Sequence, residues 1–190
     1  MFEAFIVSTG VVALGEIGDK TQLLALLLAA RFNKPGQAAA IIAGIFVATL
    51  ANHAAAGALG SVLPKMIEPQ TLRWVLAISF FAVAAWMLVP DKADDLRVDK
   101  PVGRWGVFGI TVLAFFLAEM GDKTQIATVM LAARFDALIP VTLGTTLGMM
   151  LANVPAVLLG ERALRVVPVV WVRRIAAAVF VVMGVALLLS

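Results

Sequence analysis

Apolar residues run along this chain in six long blocks, at about 4–30, 37–63, 71–89, 105–133, 138–160 and 171–189. A helix needs roughly 20 such residues to cross the hydrocarbon of a bilayer, and each block is near or above that length. The breaks between them carry turn and loop signals: Asn33-Lys34-Pro35-Gly36, Pro64 to Pro69, the charged run Asp91 to Arg104, Asp136 to Pro140, and Glu161 to Pro168. Only 91–104 has the look of a linker. The pattern predicts an all-α integral membrane protein with six transmembrane helices.

The blocks repeat. LGEIGDKTQLLALLLAARF at 14–32 lies over LAEMGDKTQIATVMLAARF at 117–135 with 12 of 19 positions identical. Further along, Leu50-Ala51-Asn52 matches Leu151-Ala152-Asn153, and Arg73 with Phe80 matches Arg173 with Phe180 at a shift of 100. The chain therefore reads as a duplicated three-helix unit: residues 1–90, a linker at 91–104, and residues 105–190. Three is odd, so the second copy must enter the membrane from the opposite face, the inverted-repeat plan of secondary transporters.

Composition agrees with this solvent. The 190 residues are 62% hydrophobic and only 14% charged, leaving too little charge to coat a water-soluble domain of this size. The opening segment lacks a basic n-region and runs into Glu16 and Asp19 instead of a small-residue cleavage site, so we expect it to be the first span and not a signal peptide. The basic residues are scattered and show no stripe with interleaved aromatics, which argues against a nucleic-acid partner. Topology accounts for them. Loops after spans one, three and five hold Arg31, Lys34, Lys92, Arg97, Lys100, Arg104, Arg162, Arg165, Arg173 and Arg174, against Lys65, Arg73 and Arg134 on the other side. The positive-inside rule then puts the 91–104 loop in the cytoplasm and both termini outside an inner membrane. Trp74, Trp86, Trp105 and Trp171 fall near span ends, as interfacial anchors should. With no cysteine, disulfides, thiolate metal sites and thiol catalysis are excluded.

Six charges sit where the pattern places mid-membrane: Glu16, Asp19 and Lys20 in span one, Glu119, Asp122 and Lys123 in span four. Each costs about 2.5–3.5 kcal/mol on insertion scales and needs a partner or a wet cavity. On a continuous helix Glu16, Asp19 and Gln22 would form one polar stripe at about 60° intervals, repeated by Glu119, Asp122 and Gln125. Gly18 and Gly121 lie inside the stripes and lower helix propensity there, which makes local unwinding plausible. Mutual neutralisation is the bland account, and Glu16 to Lys20 is the favourable i, i+4 order. The count weighs against it: four carboxylates and two lysines leave −2, which a dry bundle does not tolerate without protons or a divalent cation. A cluster that holds either occupant, but not both, is the physical basis of exchange.

The available donors are oxygens, from Glu16, Asp19, Gln22, Glu119, Asp122 and Gln125, with Asn52 and Asn153 as further candidates that helix packing explains about as well. Oxygen sites suit Mg²⁺, Ca²⁺ or Mn²⁺. His53, the single histidine, has Val154 as its repeat counterpart, so a symmetric site cannot use it and a core or hydrogen-bonding role is the expectation. Thr21 and Thr124 either contact the site or bond back to their own helices. Pro155 suggests a kink in span five, and Gly144 with Gly148 has the spacing of a close helix contact. Arg31 and Arg134 read as helix C-terminal charges.

Two copies of E-x-G-D-K-T, here EIGDKT and EMGDKT, on the first helices of two three-helix repeats resemble the membrane family of the Golgi manganese and calcium transporter and the bacterial manganese exporter, related to the cation/calcium exchanger superfamily. The resemblance covers the whole chain. It implies cation/proton antiport, with Glu16, Asp19, Glu119 and Asp122 as acidic ligands and Gly18, Lys20, Thr21, Gly121, Lys123 and Thr124 completing the motifs. It also implies export of Mn²⁺ or Ca²⁺ from the cytoplasm, with the metal as substrate and no resident cofactor. The alternatives are a Ca²⁺-selective exchanger and a passive divalent-cation channel. An intramembrane enzyme would need a nucleophile with its base, or a zinc site, and one lone histidine without cysteine offers neither.

Overall fold

The computed structural model describes residues 1–89, 106–160 and 168–189. Eight helices lie among the described residues: α1 (Phe2–Glu16), α2 (Lys20–Arg31), α3 (Gln37–Met66), α4 (Pro69–Met87), α5 (Gly106–Glu119), α6 (Lys123–Phe135), α7 (Leu138–Leu159) and α8 (Val169–Leu189). Four of them, α3, α4, α7 and α8, are each long and apolar enough to cross a membrane. The expected 91–104 linker, Trp105 and most of the expected break at 161–168 lie outside the described residues. One boundary moves: α3 runs past Pro64 to Met66, with the Ile67 amide closing on the Leu63 carbonyl at 3.0 Å.

The two blocks read from the sequence as spans one and four are not continuous helices. α1 ends at Glu16, Ile17 is extended at φ −66°, Gly18 is left-handed at φ +78°, and Asp19, extended again, is the N-cap of α2. The second copy breaks in the same way, with Gly121 at φ +73° and Asp122 as the N-cap of α6. A left-handed residue costs roughly 1–2 kcal/mol for any side chain and almost nothing for glycine. Aspartate is a preferred N-cap, so Gly-Asp stops one helix and starts the next. This corrects the expectation of a single polar stripe, because Glu16 and Gln22 belong to different helices.

Burial runs opposite to that of a water-soluble protein. Leu59, Ile78 and Val182 are more than 60% exposed, whereas Glu16, Asp19, Glu119, Asp122, Lys123 and His53 are at most 2% exposed. An apolar surround accounts for the outside, and the inside must pair its charges. Two apolar cores flank the charged centre. One joins side chains of α1, α4, α6 and α8, where the repeat-related Phe80 and Phe180 meet with ring centroids 6.1 Å apart. The other joins α2, α3, α5 and α7 around Leu28, Ile45, Phe115 and Ala156. Helices α1 and α7 approach closely at Gly144 and Gly148, where a methyl group would come within 2.5 Å of the Phe5 carbonyl and 2.6 Å of the Thr9 carbonyl. That is the contact their spacing suggested.

Candidate cation site

The two breaks bring helix ends of opposite polarity together. The C-termini of α1 and α5 carry partial negative charge and the N-termini of α2 and α6 partial positive charge. Each break is braced by its own glutamine: the Gly18 amide donates to Gln22 Oε1 at 2.8 Å, and the Gly121 amide donates to Gln125 Oε1 at 2.7 Å. Gln22 is also tied across the bundle, donating from Nε2 to the Ala152 carbonyl of α7 at 2.9 Å. Asp19 and Asp122 occupy N-cap positions but make no side-chain cap hydrogen bond. Their carboxylates turn to the other repeat instead.

There the charges cross over. Lys123 Nζ lies 2.6 Å from Asp19 Oδ1, and Lys20 Nζ lies 2.8 Å from Asp122 Oδ1. The i, i+4 pairing of Glu16 with Lys20 that a continuous helix would favour is therefore not what forms, because the break at Gly18 turns Lys20 away from its own glutamate. Thr21 donates to Glu16 Oε2 and Thr124 to Glu119 Oε1, so both hydroxyls bond these carboxylates and not the backbone of their own helices. One oxygen each from Glu16, Glu119 and Asp122 lies within 4.8 Å of the others, and all three residues are buried. Glu16 Oε1 and Glu119 Oε2 have no hydrogen-bond partner among the described residues. Converging acceptors of one sign in a dry setting repel one another unless a cation or protons intervene, so the arrangement suits a divalent ion with oxygen ligands.

Of the remaining candidates, Asn52 is buried and donates to the Phe116 carbonyl of α5 at 3.1 Å, while Asn153 donates to the Met149 carbonyl of its own helix at 3.0 Å. His53 is fully buried, and its Nε2 lies 3.6 Å from Glu119 Oε1. Arg31 and Arg134 close the last turns of α2 and α6 and stack over Phe32 and Phe135.

The halves are not equivalent. Arg173, read from sequence only as a marker of topology, donates to the Gly18 carbonyl at 2.9 Å, and Val169 covers Gly18 so closely that a Cβ there would lie 2.2 Å from its Cγ1. The repeat partner Arg73 bonds Gln70 of its own helix, and Gly121 is exposed. Lys123 is 3% exposed and Lys20 27%. Among the described residues, one break is thus covered by Val169 and Arg173 and the other has no such cover. The recurrence of arginine at a shift of 100 was visible in the sequence, but since Arg73 makes no such contact it did not distinguish Arg173 from a loop charge.

A family model described as divalent cation/proton antiporter GDT1 matches residues 4–95 and 107–190. The chain is 50% identical over 181 residues to a Vibrio cholerae protein named "Putative manganese exporter", covering 95% of this chain and 88% of that one. It is 29% identical to a GDT1-like protein of Synechocystis, covering 85% and 84% of the two chains. It is 25% identical to GDT1-like protein 3 of Arabidopsis thaliana, covering 78% of this chain and 57% of that longer protein. No solved structure matches.

Proposed function

The chain belongs to the GDT1 family of divalent cation/proton antiporters, and on that premise we propose that it exports Mn²⁺ from the cytoplasm in exchange for protons. The family is one of transporters and not of enzymes. The observation that carries the reading is the buried convergence of Glu16, Glu119 and Asp122 between two broken helices whose lysines pair across the repeats. In this reading those three carboxylates hold the ion. Asp19 joins them when Lys123 releases it, and Gln22 and Gln125, whose oxygens each have a second lone pair, complete the donor set. Four carboxylates and two lysines carry −2, the charge that one Mn²⁺ or two protons cancels, so either occupant stabilises the closed cluster.

The architecture we infer around it has six spans, with α1–α2 and α5–α6 each crossing the membrane as a broken pair. Residues 1–90 and 105–190 form two inverted repeats joined by a cytoplasmic linker, and both termini are extracytoplasmic. Support comes from the reciprocal Lys20–Asp122 and Lys123–Asp19 pairs, the Phe80–Phe180 contact and the asymmetric distribution of Lys and Arg. Alternating access then exchanges the covered and uncovered breaks by rocking one repeat against the other.

The test is metal uptake into proteoliposomes with and without a pH gradient, offering Mn²⁺, Ca²⁺ and Mg²⁺ in turn. We expect Mn²⁺ uptake that moves protons the other way and is abolished in a folded Asp19→Asn variant. Uptake indifferent to the gradient would make the protein a channel, and a fully active Asp19→Asn would remove that residue from the site.

A further inference from the structure

Arg73 and Arg173 stand at equivalent places in the two repeats, near the N-termini of α4 and α8 and outside both copies of the motif. Their contacts differ. Arg173 Nη2 donates to the Gly18 carbonyl at 2.9 Å, next to Asp19, and Val169 of the same helix lies over Gly18. Arg73 Nη2 donates instead to the exposed Gln70 of its own helix at 2.8 Å, while its Nε is buried with no hydrogen-bond partner among the described residues. Gly121, the repeat partner of Gly18, is exposed. A buried donor left unsatisfied is costly, and native proteins keep few of them without a functional reason.

Equivalent residues with unequal contacts are what one state of a two-state carrier looks like: a contact made in one half belongs to the other half in the opposite state. A guanidinium is always charged, so at the first break it occupies a carbonyl oxygen and also repels an approaching divalent cation. Helices α4 and α8 meet at Phe80 and Phe180, with ring centroids 6.1 Å apart, about two turns beyond the two arginines. Tilting this pair about the ring contact brings one arginine to its break as it withdraws the other. We propose that Arg173 and Arg73 are alternating positioning residues of the transport cycle. In the state described here Arg173 holds the Gly18 carbonyl and covers the first break. In the opposite state Arg73 leaves Gln70, takes the Gly121 carbonyl and covers the second, with Arg173 released. This inference rests on the cation-transport reading above.

The absence of cysteine makes the exchange measurable. Ile17→Cys and Met120→Cys place single thiols at equivalent positions beside the two breaks, and the rate at which a small water-soluble methanethiosulfonate labels each one in proteoliposomes of the full chain reports how open that break is. Arg173→Gln should speed labelling of Ile17→Cys about tenfold or more, the shift expected from losing one hydrogen bond to a charged group, and should slow labelling of Met120→Cys. Arg73→Gln should do the reverse, and the double variant should return the ratio of the two rates toward the native one. Arg173→Lys, which keeps a charged donor, should restore the native ratio in part. Should Arg173→Gln not fold, Arg73→Gln decides alone: its side chain bonds the exposed Gln70 in this state, so a merely structural role predicts no change at Ile17→Cys, whereas the exchange predicts slower labelling there. Rates that rise together at both thiols, or a ratio unmoved by Arg73→Gln, overturn the exchange and leave the transporter reading intact as long as the native protein moves Mn²⁺ against protons. A native protein that does not transport Mn²⁺ overturns both.

Discussion

Lys20 and Lys123 are equivalent in the repeat, yet the structure makes them unequal, and this gives a sharp test. Lys123 and Asp19 are 3% and 1% exposed and 2.6 Å apart. Removing one partner of a pair so buried costs about 3–5 kcal/mol, because the other is left in a medium that does not solvate it. Lys20 faces an equally buried Asp122 but is itself 27% exposed. Partial hydration and a longer contact reduce that loss to about 1–2 kcal/mol, between the surface and buried limits. Lys123→Met should therefore cost about 2–3 kcal/mol more than Lys20→Met, a gap in Tm of roughly 4–12 °C for a chain of this length. Thermal unfolding in detergent with a chelator present measures it, and the tryptophans report without interference since the chain has no tyrosine. Adding Asp19→Asn to Lys123→Met should return most of the loss, because the double variant has no orphaned charge. Equal losses for the two lysines, or a double variant worse than the sum of its parts, would refute the claim that burial of a crossed pair sets the cost.

Three further outcomes follow from the same geometry. Gly18→Ala should destabilise by several kcal/mol, since it adds a 2.2 Å contact with Val169 to the left-handed strain, whereas Gly121→Ala, with no described atom within 4 Å of its Cβ, should pay only the strain of about 1–2 kcal/mol; melting curves of the two variants rank them. Arg173→Ala removes a charged donor to the Gly18 carbonyl and should cost about 1.5–3 kcal/mol, against less than about 1 kcal/mol for Arg73→Ala, whose partner Gln70 is exposed; equal losses would show that the Gly18 contact is not a seal. Because the chain has no cysteine, Lys34→Cys and Gln70→Cys each introduce a single thiol, and an impermeant maleimide applied to intact cells should label only the second; labelling of the first alone would invert the proposed topology.

The apolar, membrane-suited character of the chain, the repeat in its sequence and the acidic residues that converge in the structure were legible in the residues alone. Long apolar blocks and mid-block charge are properties of local composition, and a near-identical EIGDKT and EMGDKT pair needs no coordinates to be seen. Gly18 and Gly121 even marked where the helices would loosen. What local pattern does not carry is which partner a buried charge takes. Helical spacing favours Glu16 with Lys20, but once Gly18 turns left-handed the two lie on different helices, and Lys20 meets Asp122 while Lys123 meets Asp19. Those contacts join residues about a hundred positions apart, and only the packing of one repeat against the other selects them. The inequality of the two halves is a tertiary fact as well. Near-identical motifs predict equal environments, whereas Val169 and Arg173 close over one break while Arg73 leaves the other exposed. His53 makes the same point: without its companions it read as a core residue, and the folding of α3 against α5 is what sets its ring beside Glu119. Periodicity and composition report what each segment needs from its surroundings; which groups meet those needs is decided by desolvation, which forces every buried charge to find its partner in three dimensions.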